Sequence, residues 1–100
     1  MSRAAELMNR RSDRIFVRLP ADISFHSQDG PVSYQAATID FSALGARVET
    51  VATLVPGDSV QLILSGKARP PLPSRVVWSA RRGPDRQAES GLEFLQPLRV

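Results

Sequence analysis

The sequence predicts a small all-β protein, a barrel or a sandwich, and three observations carry that expectation. Apolar and polar residues alternate at period two in several short runs. Turn signals separate those runs at near-regular spacing. No long stretch shows the 3.6-residue period of a helix. At 100 residues the chain has room for one domain and one core, and 42% hydrophobic with 23% charged residues suits a soluble globular fold. Closing so small a sheet into a barrel removes its exposed edges.

Residues 1–9 offer at most a turn of helix in Ala-Ala-Glu-Leu-Met and are expected to form a flexible tail ahead of a domain spanning 10–100. From Ile15 the period-two pattern begins, with Ile15, Val17, Leu19, Ala21, Ile23 and Phe25 on one face. Pro20 lacks a ladder donor, so this strand is an edge, is bulged, or breaks in two there. Asp29-Gly30 marks a hairpin, and a second strand is expected over Val32–Ile39. Ala46–Thr50 forms the third strand. A turn at Pro56-Gly57-Asp58 leads into the fourth, Ser59–Leu64, whose Val60, Leu62 and Leu64 should fill the interior. The prolines of SGKARPPLP keep that stretch out of a central strand. Ser74–Ala80 is the fifth strand, and Gly91–Phe94 begins the sixth.

Composition narrows the function. There is no cysteine and only one histidine, His26, in a polar turn, so disulfides, thiolate chemistry and a His/Cys metal site are excluded. No acid–base constellation appears, and the expectation is that the chain is not an enzyme. No run of apolar residues is long enough to span a bilayer, and the N-terminus lacks a secretory core, so a cytoplasmic protein without membrane insertion is expected.

The charge is unevenly placed. Residues 1–18 hold Arg3, Arg10, Arg11, Arg14 and Arg18 against Glu6 and Asp13, a local +3 that equals the net charge of the whole chain. Arginine presents a planar fork that grips phosphate or the guanine edge bidentately, which lysine cannot copy. Arg10 and Arg14 form Arg-x-x-x-Arg just before the first strand; alone, this reads as a solvated basic arm. Asp40-Phe41-Ser42-Ala43-Leu44-Gly45 lies between two strands; alone, it reads as an Asx-type turn, with Gly45 present for a positive φ.

Together these segments resemble the PilZ domain family, whose pattern is Arg-x-x-x-Arg followed about two strands later by Asp/Asn-x-Ser-x-x-Gly. Arg10 and Arg14, with Arg11 adjacent, match the first element, and Asp40, Ser42 and Gly45 the second. RIFVRLPADISF, VVWSARR and GLEF resemble the family's flanking strands, so the likeness covers roughly residues 10–95. It implies a six-stranded antiparallel β-barrel and binding of cyclic di-GMP, with the signal passed to a downstream protein. It also implies a C-terminal helix, expected here to be absent or a stub. The implied ligand-binding residues are Arg10, Arg11, Arg14, Asp40, Ser42 and Gly45. Arg47 and Trp78 are secondary candidates. For Arg47 a solvated strand position is the first reading; for Trp78, amid three consecutive apolar residues, core packing is. Phe41 and Leu44 are expected to plug the barrel. Two alternatives stand beside this: a ligand-free scaffold of the same fold that makes only protein contacts, and a small basic barrel that binds nucleic acid. Scarce aromatics count against the latter, and no DNA partner is expected.

Overall fold

The computed structural model describes residues 14–66, 69–81 and 88–98. It contains seven strands, β1 (Ile15–Phe16), β2 (Pro20–Ser27), β3 (Gly30–Phe41), β4 (Gly45–Thr50), β5 (Ser59–Leu64), β6 (Leu72–Arg81) and β7 (Ala88–Phe94), and no helix among the described residues. All pairings are antiparallel, in the order β1-β3-β2-β5-β6-β7-β4, and a further β3–β4 pairing closes β2 to β7 into a six-stranded barrel. The all-β barrel expectation is met.

Alternation does the folding work. Ala21 and Ile23 from β2, Ala46 and Val48 from β4, Val60, Leu62 and Leu64 from β5, and Leu92 and Phe94 from β7 point into one core. The buried hydroxyls of the interior bond nearby oxygens: Thr50 Oγ1 donates to Gln35 O at 2.8 Å, Ser74 Oγ to Leu72 O at 2.9 Å, and Ser90 Oγ to Ser79 Oγ at 3.0 Å. A hydroxyl left unpaired there would cost about 1–3 kcal/mol.

The first predicted strand breaks at Pro20, one of the outcomes its sequence allowed. Thr38, fully buried on β3, spans the break: its hydroxyl accepts from Leu19 N at 2.8 Å and donates to Val17 O. Beyond the break β1 adds only two pairs, Ile15 with Phe41 and Phe16 with Asp40. Ile15 therefore departs from its expected burial and is 63% exposed, because β1 runs past the end of the barrel wall.

Other boundaries differ from expectation: β3 runs Gly30–Phe41 rather than Val32–Ile39, so Asp40 and Phe41 lie within the strand, and β4 begins at Gly45 rather than Ala46. Pro73, placed in a loop by the proline argument, lies in β6 opposite Gln61. It is tolerated because it stands at the start of the strand, beyond the last β7 pair, where no ladder donor is required. β7 begins at Ala88, three residues before the expected Gly91.

Candidate functional site

Two β-bulges build the site. The register between β3 and β4 shifts between Thr38 and Asp40, so Ile39 is an extra residue. Thr38 points inward, opposite Val48, whereas Asp40 faces outward, opposite Arg47. In a strand of strict period two, Thr38 and Asp40 would share a face; the bulge re-aims the carboxylate. A second shift, between Val76 and Trp78, makes Val77 the extra residue on β6 and pairs Trp78 with Gly91. Contrary to the core packing expected from the sequence, Trp78 lies on the outer wall and is 40% exposed.

Cross-strand partners share a face, so the registers align Phe16, Asp40, Arg47, Gly91 and Trp78 in one row across β1, β3, β4, β7 and β6. Gly91 is the seat of the indole. A Cβ there would stand 2.2 Å from Trp78 Nε1 and 2.7 Å from both Cδ1 and Cε2, so only glycine lets the ring lie against this strand. The sequence marks Gly91 only as the start of the GLEF strand; the signal that finds its role is the cross-strand register.

Asp40 is the centre of the row. Although it faces outward, its side chain is only 4% exposed, because two arginines cover it. Arg47 Nε lies 3.1 Å from Asp40 Oδ2 and Arg14 Nη1 lies 3.5 Å from the same oxygen. Arg47 is therefore no solvated strand residue: it is 31% exposed and also approaches Glu89 Oε1 at 3.9 Å. Asp40 Oδ2 and Arg47 Nε face each other as charges but are misaligned for a hydrogen bond, and both stay buried without a hydrogen-bond partner. Buried polar atoms are rarely left so, and each exception calls for a specific cause, such as strain or a water, ion or ligand that completes the set. Nearby, Arg18, 65% exposed, pairs with Glu49 at 2.6 Å on the same side of the barrel.

The rest of the Asp-x-Ser-x-x-Gly segment is a tight turn joining β3 to β4. Ser42 N donates to Gly45 O at 2.9 Å, Leu44 N donates to Ser42 Oγ at 3.2 Å, and Ser42 Oγ approaches Gly45 O at 3.4 Å. The turn also holds the C-terminal end of the chain, since Phe94 N donates to Leu44 O and Leu98 N to Ala43 O. Gly45 does not have the positive φ expected of it. Its need is proximity: a Cβ would fall 2.1 Å from the Leu92 carbonyl oxygen, where β4 meets β7. Phe41 plugs the barrel end as expected, its ring 5.4 Å from that of Phe94; Leu44 is half-buried and is not part of the core.

Of the predicted site residues, the structure brings Arg14, Asp40, Arg47 and Trp78 together on the outer wall, while Ser42 stands in the adjoining turn and Gly45 opens β4. Arg10 and Arg11 lie outside the described residues, as do the expected tail and its boundary with the domain. No group of three or more potential metal ligands occurs among the described residues. No helix among them is long and apolar enough to cross a membrane.

The model of the PilZ domain family matches residues 8–100. No curated protein matches the chain by sequence. Among solved structures, the barrel is similar to YcgR from Escherichia coli in complex with c-di-GMP, with a TM-score of 0.62, 17% identity, and coverage of 86% of this chain and 38% of that one. It is also similar to the Bacillus subtilis inhibitor of motility (MotI/DgrA), with a TM-score of 0.64, 16% identity, and coverage of 89% and 44%. The chain therefore spans less than half the length of either protein; at these identities the likeness speaks for the fold.

Proposed function

We propose that this chain, which belongs to the PilZ domain family, is a non-enzymatic receptor that binds cyclic di-GMP on the outer wall of its barrel, around Asp40. The observation that carries this reading is the Asp40 carboxylate: nine-tenths buried, aimed outward, and short of a hydrogen-bond donor beside two guanidinium groups. Guanine supplies the missing donors, because its N1–H and N2–H₂ edge matches a carboxylate and adenine has no such edge. Arg14 and Arg47 then turn to phosphate oxygens or to guanine O6 and N7. Trp78 offers an aromatic plane for a purine face.

Charge explains why the N-terminal arginines belong to the reading. The three described cations at the site face three carboxylates, Arg14 and Arg47 beside Asp40 and Glu89, and Arg18 beside Glu49. Two added phosphates call for further cations, and Arg10 and Arg11 precede the β1 anchor that places Arg14. Ligand binding thus draws the N-terminal arm onto the barrel, and the altered surface is what a partner protein reads. The driving force is the set of contacts made only in the closed arrangement.

The test is calorimetric titration with cyclic di-GMP, GTP and a single-stranded oligonucleotide. Binding of the dinucleotide alone, lost in Arg14→Ala and in Asp40→Ala, is the expected result. Oligonucleotide binding with a steep salt dependence would replace this reading with a nucleic-acid one. No binding to any of the three would leave a protein-interaction scaffold.

A further inference from the structure

We infer that Phe16 is a purine-stacking residue of this site, facing the ligand from the side of Asp40 opposite Trp78. The inference rests on the cyclic di-GMP reading and adds a contact outside both arginine and Asp-x-Ser-x-x-Gly motifs.

Phe16 and Ile15 form a strand of two residues that buries neither side chain. At 75% exposed, Phe16 stands well clear of the core. An isolated exposed apolar residue is ordinary on a protein surface and needs no explanation. What distinguishes Phe16 is its register. It is the cross-strand partner of Asp40, so its ring rises from the same face of the sheet, one strand spacing away. Ile15 pairs with Phe41 and shares the opposite side, toward the end of the core. Of the two exposed residues of β1, only the aromatic one faces the buried carboxylate.

The row gives the ring a counterpart. Trp78 leans over Gly91, so its indole lies above β7, three strand steps from β1. Three steps are about 14 Å along the sheet. A purine whose edge meets Asp40 stands between the two rings, with one face toward Phe16 and the other toward Arg47 and Trp78. Cyclic di-GMP carries two purines on one compact ring, and two aromatic planes flanking a guanine reader suit such a ligand. Stacking tolerates any purine, so Phe16 contributes affinity while Asp40 contributes choice of base.

The experiment titrates cyclic di-GMP into the full chain and into Phe16→Ala, Phe16→Leu and Phe16→Tyr, at several salt concentrations, with thermal unfolding of each. Phe16→Ala and Phe16→Leu should weaken binding about five- to over a hundredfold, the range for loss of one stacked base, whereas Phe16→Tyr retains it. The salt slope should stay unchanged in all three, because no phosphate contact is removed; Arg14→Ala, by contrast, lowers it. The unfolding midpoints should match the parent's. Parent-like binding by Phe16→Ala, or rescue by Phe16→Leu as complete as by Phe16→Tyr, overturns the stacking role and leaves the receptor reading intact. A fall in the Phe16→Ala midpoint that accounts for its weaker binding also overturns it, since the ring would then serve to hold the arm. Failure of the parent to bind overturns the receptor reading and this inference with it.

Discussion

Gly91→Ala moves the indole of Trp78 without altering the tryptophan itself. The added methyl group would stand 2.2 Å from Nε1 and 2.7 Å from two ring carbons, more than 1 Å inside ordinary contact. The atoms it meets belong to a side chain, so the ring swings away rather than the strand. A tryptophan buries on the order of 150–250 Å². If the swing uncovers about 50 Å² of that, the loss at ~25 cal/mol per Å² is about 1 kcal/mol, a modest fall in stability. Binding should suffer more, because a plane displaced from the row no longer meets the purine. The expected loss is ~1–3 kcal/mol, about five- to over a hundredfold in Kd. The chain has a single tryptophan, so its fluorescence reports this site alone. Gly91→Ala should shift emission to the red, abolish its response to cyclic di-GMP, and raise Kd as far as Trp78→Ala does. Unchanged emission and parent-like affinity would refute the seat argument.

Gly45→Ala should be far worse for folding, since its Cβ would meet only backbone, the Leu92 carbonyl and the Glu93 Cα. With no flexible group to yield, the end of the β4–β7 ladder must shift, and a loss of ~3 kcal/mol or more in chemical denaturation is expected. Asp40→Asn leaves Arg47 beside Glu89 and frees the mostly exposed Arg14. Its stability cost should therefore be about 1–2 kcal/mol, below the 3–5 of a fully buried pair, while calorimetry shows preference for guanine over adenine dinucleotides collapse. Thr38→Val removes both hydrogen bonds across the β1–β2 break and should cost ~2 kcal/mol in denaturant unfolding, with weaker ligand binding because β1 no longer holds Arg14.

Much of the barrel was legible because burial and alternation are written in the same period. Ser59–Leu64 falls at its expected bounds, and Val60, Leu62 and Leu64 fill the interior. The turn over Ser42–Leu44 was legible because its chemistry is local, although Asp40 and Phe41 belong to the strand before it. What escaped was parity. Ile39 and Val77 each add one residue to a strand, and no residue type announces a bulge as glycine announces a turn. Trp78 is therefore expected in the core, and Asp40 is not expected on the outward face, where it meets Arg47. Gly45 escaped differently: its constraint lies across the ladder on Leu92, 47 positions away in sequence.

The two bulges also bear on how such a surface is gained and lost. The side on which a strand residue emerges is a binary property, reset by inserting or deleting one residue upstream. Removing Ile39 would turn Asp40 toward the hydrocarbon interior and send its neighbour outward, erasing the proposed guanine contact without changing a single motif residue. Point substitution can weaken this surface by degrees, but a frame-preserving deletion of one codon abolishes it at a stroke. Members of this architecture that keep Asp-x-Ser-x-x-Gly intact yet lack the extra residue would be barrels with the signature and without the site.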